Sequence, residues 1–220
     1  MDELLHGGLP LGSLAEIIGP PCSGRSTLVS SILAKATRQG TSCAYVDVAD
    51  AFDPLSAAAI GINLGHLLWV RASQTEKSDK QVWKSLNQAL RATDLLLNAG
   101  GFQVIVLDMG DVRVEQARRV PLASWYRYRL QAENSQALFL LLAQATCASS
   151  CASVVLHCTE VREQWECATG NQNSLPLLTE LQYSVSADRK RASAREFNPF
   201  GKKPASAAQT AWKRTILWAR

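Results

Sequence analysis

The stretch SLAEIIGPPCSGRSTLVSSILAK, residues 13–35, constrains this chain more than any other. A short apolar run enters G-x-x-x-x-G-x-[ST], and residues with helical spacing (Leu28, Ile32, Leu33, Ala36) follow. Strand, glycine-rich loop and helix in that order form a phosphate-binding loop, whose backbone N–H groups and helix N-terminus face an anion. The loop residues are Gly19, Pro20, Pro21, Cys22, Ser23, Gly24, Arg25, Ser26 and Thr27. Ser26 is the expected hydroxyl donor to Mg²⁺. Arg25 stands where the pattern has lysine, and a planar, forked guanidinium does not replace a compact ammonium at a transferring phosphoryl group. The expected cofactor is ATP with Mg²⁺, bound weakly or not at all.

The rest of the chain alternates in the same way. Apolar runs at 42–50, 66–72, 102–111, 137–145, 153–161 and 180–189 read as strands. Segments 54–61, 78–101 and 122–135 read as helices, with Pro54 at a first helical position and Ser78 as a cap. Near-continuous apolar strands separated by helices predict an α/β fold, with a mostly parallel twisted sheet covered by helices on both faces. VIVLD ends on Asp108, expected to reach Mg²⁺ through a water. The core is expected over residues 1–191. A flexible basic linker and C-terminal tail are expected over 192–220.

Charge separates these parts. Residues 186–220 hold nine Lys/Arg against Asp188 and Glu196, a net of +7 in a chain of +4, so residues 1–185 carry −3. A basic tail allows weak, salt-sensitive contact with DNA. Within it, QTAWKRTILWAR places Trp212, Ile216, Leu217 and Trp218 among basic residues, which reads as a docking peptide for a partner; packing back onto the chain's own sheet is the alternative. No apolar run is long enough to cross a bilayer and the N-terminal residues lack a signal-peptide core, so a cytoplasmic location and no membrane contact are expected. Six cysteines lack a disulfide framework. Cys147, Cys151, His157, Cys158 and Cys167 lack paired zinc-knuckle spacing, and the cysteines read as buried thiols with no metal. LASWYRYRLQ, residues 122–131, reads as a packing helix with Leu122, Trp125 and Arg129 on one face and Tyr126 and Leu130 beside it. No Ser/His/Asp set or H-E-x-x-H supports a hydrolase.

The order of motifs resembles the RecA-type recombinase core from about residue 2 to residue 190. MDELLHGGLPLGSLAEIIGPPCSGRSTL, TSCAYVDVADAFDP, LGHLLWVRASQ, ALRATDLLLNAGGFQVIVLDMGD, ALFLLLAQ and CASVVLHC are similar to its successive segments. The resemblance makes Gln144 the γ-phosphate sensor. It places the family's catalytic glutamate on Ala49, with Asp50 expected on the opposite strand face. Both DNA loops are short, and the family's N-terminal filament arm has no counterpart in the residues given. A RecA-like chain with these losses is similar to the ImuA-type component of the bacterial mutasome. That resemblance implies a non-enzymatic accessory role in DNA-damage-induced translesion synthesis, with an inactive Y-family polymerase homologue as partner. Alternatives are a working DNA-binding ATPase using Asp50 or Asp111 to activate water, and a regulator that binds RecA and restrains recombination.

Overall fold

Strand β1 (Ser13–Ile18) is buried at every position and leads through the glycine-rich loop into helix α1 (Arg25–Arg38). The computed structural model describes residues 5, 8–72, 79–167, 176–189 and 209–215. The following elements are β2 (Cys43–Asp47), α2 (Pro54–Ile60), β3 (Leu67–Arg71), α3 (Asp79–Ala99), β4 (Val104–Asp108) and the single turn α4 (Val114–Ala117). Helix α5 (Leu122–Ser135), β5 (Leu138–Ala143), β6 (Val154–Cys167), β7 (Pro176–Arg189) and β8 (Gln209–Thr215) complete the order.

One eight-stranded sheet runs β3-β2-β4-β5-β1-β6-β7-β8. The pairings from β3 through to β6 are parallel, and those of β6 with β7 and β7 with β8 are antiparallel. Side chains alternate across the sheet and fill two apolar layers. Leu14, Ile18, Val46 and Leu107 join Leu86, Leu97, Trp125 and Tyr128 from α3 and α5. Ala15, Ile17, Val106 and Leu140 join Leu28, Leu33 and Ala57 from α1 and α2. The fold is therefore α/β, a mostly parallel sheet with helices on both faces.

Local chemistry sets the helix ends as the composition suggests. Pro54 opens α2, while the Asp53 side chain accepts from Leu55 N–H and Ser56 N–H. Gly61 closes it at φ 96°, a left-handed conformation suited to glycine. Arg38, in the last turn of α1, donates to the carbonyls of Ile60 and Gly61 at 3.1 and 3.0 Å and ties the two helices together.

Three expectations change. The strand expected over 153–161 continues to Cys167, because β6 and β7 form one long antiparallel hairpin with two register shifts. Residues 209–215, expected within a flexible docking tail, pair along β7 from Glu180↔Thr215 to Ser186↔Gln209 and form the sheet's edge strand. Ile216, Leu217 and Trp218 lie outside the described residues, as do Ser78, Lys190 and Arg191. On α5 the buried face is Trp125, Tyr128 and Ala132, whereas Leu122 and Tyr126 are both 52% exposed. Tyr128 wins the interior because its hydroxyl finds the Leu90 carbonyl at 2.9 Å and its ring meets Trp125 and Phe139 edge-on. Among the described residues, no helix is long and apolar enough to cross a membrane.

Candidate functional site

The carboxyl ends of β1, β2, β4 and β5 bring the motif residues together, which is where open parallel sheets bind ligands. A cleft of ≈ 260 Å³ there is lined by Arg25, Ser26, Tyr45, Phe52, Asp108 and Asp111, among others. The loop that forms its wall turns through left-handed Cys22 (φ 62°) and Gly24 (φ 86°). Pro20, Pro21 and Cys22 are exposed at the tip; Ser23 is buried. A β-carbon at Gly24 would lie 2.2 Å from the Tyr183 ring, so glycine is required by contact as well as by φ. No side chain caps α1.

One backbone carbonyl organises the floor. Gly110, just beyond β4, accepts from Arg25 Nη2 at 3.4 Å and from Gln144 Nε2 at 3.1 Å. The glycine-rich loop, the end of β4 and the end of β5 therefore meet at a single acceptor. Arg25 is buried, and its Nη1 and the Ser23 Oγ have no hydrogen-bond partner among the described residues. A buried donor without a partner is costly, and these two line the wall of a loop whose adjoining helix start is uncapped. These features fit a bound anion such as phosphate.

Asp108 lines the same cleft, with part of its acceptor capacity already used by the protein. One carboxylate oxygen of Asp108 accepts from Gly110 N–H at 2.8 Å, and the other accepts from the Tyr45 hydroxyl. Both oxygens are thus engaged by protein donors. Burial is the main reason the Asp108 carboxyl is held above its ordinary range, with the Tyr45 and Gly110 bonds pulling the other way. Burial, reinforced by Asp108, likewise pushes the Tyr45 phenol well up.

A carboxyl whose folded pKa is raised contributes its full stability below the unfolded value and loses it as pH rises through the folded pKa. Asp108→Asn keeps an acceptor but does not ionise. Its melting temperature should therefore gain on that of the parent chain as pH rises above the ordinary carboxylate range, and level off once pH has passed the raised folded value. A difference between the two that stays flat with pH would show that Asp108 does not titrate abnormally.

The other acids around the cleft have structural partners. Asp47, fully buried, accepts from Ala49 N–H, Phe52 N–H and Trp69 Nε1 and so shapes the 49–52 turn. Asp53 caps α2. Asp50 is not on a strand face as expected: it follows β2 at φ 56° and forms a forked ion pair with Arg71 at 2.6 Å. The electrostatics of that pair hold its carboxyl below the usual range. Asp111 alone of the two expected water activators lines the cleft. Ala49 places a methyl group where the resemblance has a glutamate.

Sequence patterns missed Tyr45, Gly110, Tyr183 and Glu16. Glu16 carried a signal: it is the one charged residue in the apolar run of β1. Fully buried, its Oε1 accepts from Cys147 N–H and Ala148 N–H at 2.8 and 2.7 Å, anchoring the turn after Gln144. Cys147, Cys151 and Cys158 are free thiols; burial pushes those of Cys147 and Cys158 up to about 12 and about 11. His157 faces Asp188 at 3.2 Å.

Known proteins match this arrangement. The model of the RecA N-terminal domain matches residues 2–176. Protein RecA of Ectopseudomonas oleovorans is 42% identical over 102 residues, 46% of this chain and 26% of that protein. Protein RecA of Teredinibacter turnerae is 39% identical over 102 residues, 46% of this chain and 27% of that protein. The aligned part is thus about a quarter of the length of these curated relatives. The glycine-rich loop and Asp108 meet at one cleft, Gln144 reaches its Gly110 wall, the family model spans most of the chain, and the chain belongs to the RecA N-terminal domain family.

Proposed function

We propose that this chain is a RecA-like accessory protein of damage-induced translesion synthesis, of the ImuA type, working through protein contacts rather than nucleotide hydrolysis. The observation that carries the reading is Ala49, a methyl group where the resemblance has an acid, beside a cleft whose Asp108 already accepts from Tyr45 and Gly110. A site that hydrolyses ATP needs a carboxylate to orient water and groups that stabilise charge as it develops. Here the phosphate loop would hold the phosphates of a nucleotide through its N–H groups, Arg25 and Ser23. ATP would supply binding energy there and serve as a ligand.

The partner in this reading is an inactive Y-family polymerase homologue, docked on the C-terminal segment that includes Trp212 and Trp218. DNA contact is weak and carried by the basic residues of the tail. The family match also accommodates a regulator that binds RecA through a shared core surface.

Two measurements test the proposal together. Phosphate release from ATP with Mg²⁺ should not exceed that of Asp108→Ala, and steady turnover that this substitution abolishes would overturn the non-enzymatic reading. Association with the polymerase homologue should weaken roughly thirtyfold, about 2 kcal/mol, in Trp212→Ala or Trp218→Ala, and in Trp218→Ala, which lies beyond β8, with the melting temperature nearly unchanged. Intact association with a lowered melting temperature would reject the docking role and assign these residues to the chain's own fold.

A further inference from the structure

Helices α3 and α5 enclose a second concavity, a groove of ≈ 590 Å³ on the face of the sheet away from α1 and α2. Its apolar lining comes from Trp83, Leu90, Leu95 and Tyr128. Leu90 and Tyr128 belong to the core beneath, and Trp83 packs against it half-buried. Leu95 stands out, 70% exposed beside buried Leu96 and Leu97. An isolated exposed leucine is ordinary, but this one continues a hydrophobic surface that reaches into the core.

Among the described residues the charge around that surface is one-sided. Arg91, Arg119 and Arg127 line the groove, and Asp94 is the only acid among the described lining residues. Asp94 is already engaged, with Arg127 Nε at 3.0 Å and Gln131 Nε2 at 3.2 Å. Arg127 also lies over the Tyr128 ring, 5.4 Å from its centroid, which holds that guanidinium against the wall. Arg91 and Arg119 are exposed.

We infer that this groove receives an acidic, amphipathic segment of a partner protein. Apolar side chains of that segment cover Leu95 and Trp83, and its carboxylates meet the forked donors of Arg91 and Arg119. The chain's own C-terminal segment is a poor occupant, because its net charge of +7 faces three guanidinium groups. A nucleic acid backbone would engage the arginines while leaving Leu95 and Trp83 uncovered. The groove is separate from the phosphate loop, so the inference stands whether or not nucleotide binds.

The probe is a fluorescein-labelled synthetic helix of about four turns, with Glu and Asp on one face and Leu and Trp at i, i+3, i+4 and i+7 on the other. Anisotropy at about 0.15 M salt should show saturable binding to the full chain. Arg91→Glu, Arg119→Glu and Leu95→Asp should each weaken it by roughly tenfold or more, about 1.4 kcal/mol. A peptide of the same pattern with Lys for Glu and Asp should not bind. All three substituted residues are exposed, and melting curves confirm that each variant folds. Absence of saturable binding, or equal binding by parent and variants, overturns the proposal. So does a labelled single-stranded oligonucleotide that loses affinity with the same arginine variants while the peptide does not, which makes the groove a nucleic-acid site. Self-association of the chain that Leu95→Asp abolishes assigns the groove to a second copy instead.

Discussion

Glu16→Ala is expected to cost about 3–5 kcal/mol of stability, lowering the melting temperature by roughly 10 °C. The carboxylate is fully buried in the central strand β1, and one of its oxygens accepts two backbone N–H groups from the turn after β5. Removing it strands both donors in the interior, at about 1–3 kcal/mol each, and leaves a cavity. Glu16→Gln keeps the accepting carbonyl oxygen and should cost much less, within about 1.5 kcal/mol. Thermal or urea unfolding of the two variants separates the roles. Equal losses would mean that charge, and not hydrogen-bond acceptance, holds the turn. Gln144 lies three residues before the anchored Cys147, so the alanine variant should also loosen the Gln144 contact with Gly110 in the cleft.

Trp125→Ala should be comparably severe, at roughly 3–5 kcal/mol. Its ring is fully buried and stands 6.0 Å from the Tyr128 ring, which in turn packs on Phe139. Trp125→Phe should lose far less. The indole N–H has no partner among the described residues, so phenylalanine removes an unsatisfied donor while retaining most of the packing area. Tyr126→Ala, one residue along but half-exposed, should stay within about 0.5 kcal/mol. Chemical denaturation of the three variants gives the order directly. A Tyr126→Ala loss as large as that of Trp125→Ala would contradict the helix face described above.

These two residues also show where the one-dimensional pattern stops. The apolar spacing of LASWYRYRLQ is compatible with more than one buried face, since aromatic residues occupy three of four successive positions from 125 to 128. Tyr128 is chosen by the Leu90 carbonyl of another helix, 38 residues away. That choice is a packing decision, and no local propensity encodes it. The same holds at Asp50, whose adjacency to Ala49 suggests a stand-in acid. Its left-handed backbone and the partner Arg71 on β3 carry it out of the cleft.

From the residues alone came the strand–loop–helix unit, the alternation that requires a sheet covered on both faces, and Arg25 and Asp108 as site candidates, with Gln144 added by the resemblance. These are local or periodic properties: glycine where the backbone turns left-handed, apolar residues at spacings of two or of three to four, an acid at a strand end. The tertiary structure decided the rest. Strand order and register put Tyr45, paired with Val106 on the neighbouring strand, within reach of the Asp108 carboxylate. The antiparallel hairpin put Tyr183 over Gly24 and gave residues 209–215 an edge to pair with. Helix packing made a basic groove from α3 and α5. Each depends on which segments lie side by side across long stretches of chain. Spacing along the sequence carries no record of that, because long-range pairing is set by the burial of the whole sheet and not by any one segment.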